Sequence, residues 1–328
     1  MAITLPRELP AYRILESEGV HVSPASVGRS APLRIALLNL MPTKIATETQ
    51  FARLLARTPF QVELTLVVPS SYMPRHTPVE HLRRFYSRWS EIRDRSFDGL
   101  IVTGAPVETL PFEAVTYWEE LTRIFDWATT PRVGGAFYVC WAAQAALYHL
   151  HGVPKHPLPQ KRFGVYPHRV RAPGHPLFAG FDDVFPVPVS RHTEVSVLDL
   201  PGNGALSVLA DSEEAGLGLV GDDTHRALYM FNHLEYEAET LRGEYLRDVS
   251  AGRAVALPRN YFPEDDPTLP PHNGWSAYAS LLFGNWLSTL SRAARPRPRS
   301  RWVRPPRREV AARRAAATSR VRTGKLCA

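Results

Sequence analysis

The sequence predicts an α/β fold, a mostly parallel β-sheet flanked by helices. Two observations carry that expectation. Several short apolar runs, rich in Val, Ile, Leu and Phe, are continuous rather than alternating, as expected of strands covered on both faces. Helical segments separate these runs, and strand–helix alternation favours parallel neighbours.

Residues 1–32 read as an extended, partly structured lead-in. LRIALLNL (33–40) is the first buried strand, ended by Pro42. TETQFARLLAR (47–57) reads as a helix with Phe51, Leu54 and Leu55 on one face and Thr47 with Gln50 as a capping box. FQVELTLVV (60–68) is a second strand, and residues 79–92 read as one helix. FDGLIVTGAP (97–106) is a strand that breaks at Gly104, and VTYWEELTRIFDWA (115–128) is an amphipathic helix. GAFYVC (135–140) is a short strand running directly into the helix WAAQAALYHLHG. Residues 156–201, rich in Pro, His and Gly, read as irregular. ALYMFNHLEY (227–236) reads as a strand, followed by a helix to about 250 and a late helix over 275–290. The expected organisation is a catalytic domain over 33–290 and an Arg/Pro-rich tail over 291–328 without a packed core.

Composition narrows the function classes. The chain has 328 residues, 44% of them hydrophobic and 22% charged, as in a soluble globular protein. No run approaches the roughly 20 apolar residues needed to cross a bilayer. MAITLPRELPAY lacks a basic region followed by an apolar stretch, so the expected location is the cytoplasm, away from membranes. Two cysteines, Cys140 and Cys327, argue against a disulfide framework. The net charge of +7 is unevenly distributed. From Arg292 onward 13 basic residues face one acid, Glu309, which leaves the remainder at about −5. The high pI therefore belongs to the tail, and a nucleic-acid partner is not expected of the body.

Cys140 stands where a strand ends and a helix begins. A tight turn there holds the sulfur at the carboxyl edge of the sheet, where open α/β sheets bind ligands. The helix N-terminus favours a thiolate through its free N–H groups and dipole, and an amide such as that of Trp141 can stabilise an oxyanion. A cysteine after an apolar strand is more often a buried structural thiol, so a base is needed to make the case. His233 and Glu235 supply one: on an extended strand, i and i+2 project to the same side. Histidine would take the proton and glutamate would orient the ring. The bland alternative is a solvated His and Glu at a strand end.

VCWAAQAALYHLHGVPK, NHLEY, LLNLMPTKIATETQFARLL, DGLIVTGAP and NYFPEDDP together resemble the homoserine O-acyltransferases of methionine biosynthesis. The resemblance runs from about residue 5 to 290. It implies a class I glutamine amidotransferase-like (flavodoxin-like) fold. It implies Cys140 as the acyl-thioester nucleophile, His233 as the proton acceptor and Glu235 as its partner. Lys161 in QKRFGVY, Ser190 in VSRHTE and Arg247 in YLRDV match substrate-site positions. A guanidinium suits the α-carboxylate of L-homoserine. The chain has Asn232 where the family usually has Gly, and Leu234 where it often has Pro or Ser. The resemblance implies no permanently bound cofactor and no metal, and the 12 histidines show no metal-ligand spacing. A homodimer is expected by analogy.

Members of that family use acetyl-CoA or succinyl-CoA, and the second residue after TGAP is associated with the choice: glutamate with acetyl, glycine with succinyl. Here it is Glu108, and Ser190 also bears on specificity. A glutamate in the acyl pocket fills space and repels the second carboxylate of a succinyl group. The expected donor is acetyl-CoA, with succinyl-CoA as the alternative. A glutamine amidotransferase-like hydrolase would share the fold and the Cys-His-Glu set. A non-enzymatic binding protein would have no need of them.

Overall fold

The computed structural model describes residues 3–24, 31–72, 74 and 76–293. In chain order the elements begin with β1 (Ile3–Thr4), α1 (Pro10–Ser17), β2 (Val22–Ser23), β3 (Leu33–Leu38) and α2 (Lys44–Ala56). They continue with β4 (Val62–Val68), α3 (Val79–Phe85), β5 (Tyr86–Arg88), α4 (Trp89–Ile92), β6 (Gly99–Val102), α5 (Trp118–Thr129), β7 (Ala136–Val139) and α6 (Trp141–His151). The remainder is β8 (His156–Val170), β9 (Val184–Glu194), β10 (Leu206–Ser212), β11 (Gly216–Asp222), β12 (Ala227–Met230), α7 (Thr240–Ser250) and α8 (Ser276–Ala293).

These strands form one sheet in the order β2-β1-β4-β3-β6-β7-β12-β11-β10-β8-β9, with β5 pairing β4. Pairing is parallel from β2 through β12 and antiparallel from β12 to β9. The parallel half explains the continuous apolar runs. In β7, Phe137 and Val139 enter one core while Ala136 and Tyr138 enter the other. Leu228 and Met230 of β12 likewise face away from Ala227 and Tyr229. Phe137 stacks on Phe283 of α8 at 5.0 Å, and Tyr138 meets Phe125 of α5 edge-on at 5.4 Å. Each such ring contributes roughly 2–3 kcal/mol on burial, so the strand is clamped from both sides. Among the described residues no helix is long and apolar enough to cross a membrane.

Several elements differ from the sequence reading. The lead-in joins the fold: β1 pairs with β4 and β2, and Ala11, Tyr12 and Leu15 of α1 are buried. Helix α2 starts at Lys44, a turn earlier than expected, so Thr47 is no cap; its hydroxyl bonds the Thr43 carbonyl at 3.2 Å. Gln50 instead donates to the Thr240 hydroxyl at 3.2 Å. The helix expected over 79–92 is cut by β5, because β1 covers only the start of β4 and leaves the edge at 66–68 open for pairing. Residues 156–201 are largely ordered by the long β8–β9 pair. Its prolines are tolerated because β9 is the edge strand and β8 carries a register shift between Pro157 and Arg162. The tail expected over 291–328 lies outside the described residues from 294 onward.

Gly164 in β8 shows how tightly this hairpin is held. Its φ is 140°, and a Cβ there would stand 2.3 Å from the Arg259 carbonyl oxygen. Gly164→Ala should therefore cost about 2–5 kcal/mol, read as a lower urea midpoint. Gly174→Ala, with nothing within 4 Å of the new methyl, should stay within about 0.5 kcal/mol of the parent. Equal midpoints for the two variants would contradict the close approach.

Candidate active site

Cys140 occupies the junction between β7 and α6 with φ 53° and ψ −118°, a backbone region costly for a residue with a side chain. Its amide donates to the Met230 carbonyl of β12 at 2.7 Å, and its carbonyl accepts from the Ala143 amide at 3.0 Å. Gly104 provides the space above: a Cβ there would lie 3.2 Å from the Cys140 Cβ and 3.7 Å from Sγ. The Trp141 ring is fully buried against Phe112 and Tyr117. Only its backbone amide is available for the expected role, since the first N–H of a helix has no carbonyl to bond within that helix.

His233 and Glu235 come together, but not on a strand. β12 ends at Met230, and the chain turns so that the His233 amide bonds the Pro188 carbonyl of β9 at 2.9 Å. The Asn232 side chain meets buried His168 at 2.8 Å. Within the turn, His233 Nδ1 lies 2.6 Å from Glu235 Oε1, and the ring shares the cavity wall with Cys140, with which it interacts electrostatically. Tyr236 stacks on the imidazole at 4.2 Å, and the Trp275 indole N–H holds the Tyr236 carbonyl at 2.7 Å. Burial opposes charge on His233, but attraction to Glu235 and to Cys140 outweighs it and raises its pKa well above the ordinary value.

A cavity of about 340 Å³ opens over Cys140 and His233, with Glu108, Lys161, Ser190 and Arg247 in its walls. Lys161 Nζ lies 3.3 Å from both Glu244 and Asp248, above the Phe163 ring. Ser190 Oγ donates to Glu244 at 2.5 Å. Arg247, 64% exposed, leans on Asp248 at the mouth, with Nη2 3.1 Å from Oδ1. Glu108 Oε2 accepts the His192 amide at 2.8 Å, and the Lys155 ammonium bonds the carbonyls of Glu108 and Leu110. The six expected side chains that line the cavity or touch its sulfur are thus gathered at one place. Glu235 stands behind His233 rather than in the cavity wall.

Sequence reasoning missed Glu244, Tyr236 and Asp248. Glu244 is a junction: it accepts from Ser190, from the Tyr236 hydroxyl at 2.7 Å and from Lys161. Asp248 is buried, which opposes its charge, but Lys161 and Arg247 prevail and lower its pKa. The available signal was helical spacing, because Glu244, Arg247 and Asp248 sit at i, i+3 and i+4 on one face of α7.

A family model described as homoserine O-succinyltransferase matches residues 2–296. A homoserine O-acetyltransferase of Chelativorans sp. (strain BNC1) is 51% identical over 293 residues, covering 88% of this chain and 94% of that protein. One of Brucella canis is 52% identical over 293 residues, covering 88% of this chain and 95% of that protein. Among solved structures, a glutamine amidotransferase from Thermotoga maritima superimposes with TM-score 0.53 at 12% identity, over 80% of this chain and 99% of that one. A glutamine amidotransferase from Methylobacillus flagellatus gives TM-score 0.50 at 16% identity, over 78% and 94%. At these identities the structural likenesses bear on the fold alone, which is the amidotransferase-like α/β arrangement expected.

Glu235→Gln should lower the His233 pKa by at least about one unit, measured by NMR titration of the imidazole. The sign for stability follows. A raised folded-state pKa stabilises fully below the unfolded value of about 6.5, and that contribution fades as pH rises through the folded value. The parent should therefore exceed the variant most below about pH 6.5. An unchanged His233 titration would contradict the electrostatic coupling.

Proposed function

The chain belongs to the homoserine O-succinyltransferase family, and from that premise we propose that it transfers an acetyl group from acetyl-CoA to the hydroxyl of L-homoserine, in methionine biosynthesis, through a Cys140 acyl-thioester. The observation that carries this reading is the strained Cys140 turn with the buried His233–Glu235 pair against its sulfur. It is a nucleophile, a base and an orienting carboxylate in reach of one another.

In this scheme the Cys140 thiolate attacks the thioester carbonyl, and the Trp141 amide holds the developing oxyanion. The tetrahedral adduct collapses, coenzyme A leaves as the thiol with the proton carried by His233, and the acetyl group stays on sulfur. Homoserine then enters with its carboxylate towards Arg247 and Lys161. The Glu244 carboxylate, fixed by Ser190 and Tyr236, suits its ammonium group. His233 takes the hydroxyl proton as that oxygen attacks the acyl carbon, and Glu235 steadies the imidazolium. Each proton transfer has its donor and acceptor on the chain or a substrate, so the reading calls for no resident cofactor. A reactive thiol of this kind suits the reducing cytoplasm.

The donor assignment rests on Glu108. Its backbone is tied to Lys155 and its carboxylate to the His192 amide, so it is a fixed negative group at the cavity wall. A succinyl carboxylate brought there meets like charge, at a cost of about 1–4 kcal/mol at close approach. The relatives at 51% and 52% identity carry the acetyltransferase name, in keeping with this reading, whereas the family description names the other donor.

Purified protein supplied with homoserine and either donor should yield O-acetylhomoserine by mass spectrometry. Without homoserine, Cys140 should gain the mass of one acetyl group. Cys140→Ala should lower turnover at least about a thousandfold. Glu108→Gly should move the preference towards succinyl-CoA. Ester formation undiminished in Cys140→Ala, or ammonia release from glutamine in place of ester formation, would defeat the proposal. A preference unmoved by Glu108→Gly would defeat the donor assignment alone.

A further inference from the structure

The far end of α6 carries a second cluster of chemically able side chains. His151, the last residue of the helix, places Nε2 2.7 Å from Asp222 Oδ2. His225, in the turn between β11 and β12, places Nδ1 2.7 Å from the same oxygen. The three ligand-capable atoms lie within 4.8 Å of one another. Sequence spacing conceals the group, because His151 stands 71 positions before Asp222.

We infer that His151, Asp222 and His225 form a binding site for a zinc-class divalent cation, with water completing the coordination. Two neutral imidazoles and a carboxylate suit such an ion. The Asp222 side chain is fully buried, whereas the histidines reach 9% and 27% exposure, so the site is anchored inside and reachable outside. The carboxylate is also oriented by its surroundings, with Oδ1 accepting the His225 amide at 3.0 Å.

The arrangement is crowded for protons alone. Both rings and the Tyr229 hydroxyl, at 3.2 Å, point at Oδ2. A carboxylate oxygen has about two lone-pair sites, fewer than these three donors need. A cation relieves the crowding, since both rings then give a lone pair to the metal and carry their proton on the other nitrogen. With metal–ligand bonds of about 2.0–2.1 Å, ligand atoms stand roughly 3.3 Å apart, so each ring retreats by about 0.6 Å. A cavity lined by Asp222, Asp223 and Arg226 adjoins the cluster, and the partly exposed His225 ring leaves it reachable from solvent.

The site is separate from the Cys140 chemistry. Asp222 pairs with Ala227, at the start of β12, whereas the Cys140 amide bonds Met230 at its end. Helix α6 puts about 16 Å between its two ends. A metal here clips the foot of the nucleophile-bearing helix to the β11–β12 turn, a stabilising role independent of the acyl-transfer reading.

The test is a calorimetric zinc titration of the full chain carrying Cys140→Ser and Cys327→Ser, which removes competing thiols. One saturable site is expected, weakened at least about tenfold by His225→Ala and by His151→Gln, with zinc raising the melting temperature of the parent only. Cobalt(II) should give visible absorption typical of low coordination number, lost in the same variants. Absence of saturable zinc binding, or binding unchanged in both histidine variants, would overturn the inference. The histidine variants decide even where Asp222→Asn fails to fold.

Discussion

One backbone conformation governs the rest of the active site: the left-handed turn at Cys140. A residue with a Cβ at φ 53° is held there only if its surroundings leave no alternative. They do so by three routes. The amide is fixed to the end of β12, the carbonyl is taken up by the first turn of α6, and the side chain rests against the hydrogen-only face of Gly104. Each restraint comes from a different segment, and only the sheet order brings them together. β7 sits between β6, which leads to Gly104, and β12, which leads to His233. The strand order that places sulfur beside imidazole is thus the same order that pays the conformational strain at the nucleophile.

Around that turn, polar groups are buried in linked sets. Burial opposes charge on His233, but Glu235, 2.6 Å from its ring, helps to raise its pKa, and the ring plane is set by Tyr236. Tyr236 is positioned in turn by Glu244 and Trp275. The sequence of contacts from Trp275 through Tyr236 to His233 and Cys140 connects α8 to the sulfur. This gives an aromatic far along the chain a part in aligning the base. Buried polar groups left without partners are costly, so such a network tolerates few intermediate geometries.

Much of this was legible in the sequence, for identifiable reasons. Strands β6 and β7 are buried throughout and β3 everywhere but at Arg34, so their apolar runs are continuous or nearly so. The Cys140 junction was legible because a strand with no loop before its helix leaves one residue to make the turn. The β8–β9 pair was not, because edge strands accept proline and polar residues, and those same residues mark loops. The helix over 79–92 failed because β5 exists only by pairing with an open stretch of β4, a long-range circumstance. His233 and Glu235 were paired correctly for a reason that did not hold: the chain leaves the strand at Met230, and a turn rather than a pleat aligns them.

Charge balance in the cavity bears on which substrates it can accept. Three carboxylates among its lining residues, Glu108, Glu244 and Asp248, face three cations, Lys161, Arg247 and Arg253. Lys161 is shared between Glu244 and Asp248, while Arg247 and Arg253 both lie on Asp248. A zwitterionic amino acid can exchange into such a set without changing its total charge, its carboxylate drawing Arg247 from Asp248 and its ammonium replacing Lys161 at Glu244. Glu108 stands outside this set, bonded through its carboxylate to a backbone amide instead of a cation. A donor whose acyl group brings a further carboxylate to that side therefore adds a second negative charge beside an anion that Lys155, held at the Glu108 carbonyl, already partners electrostatically. An acetyl group brings nothing that needs compensation, and this asymmetry lies in the wall of the site rather than in its catalytic centre.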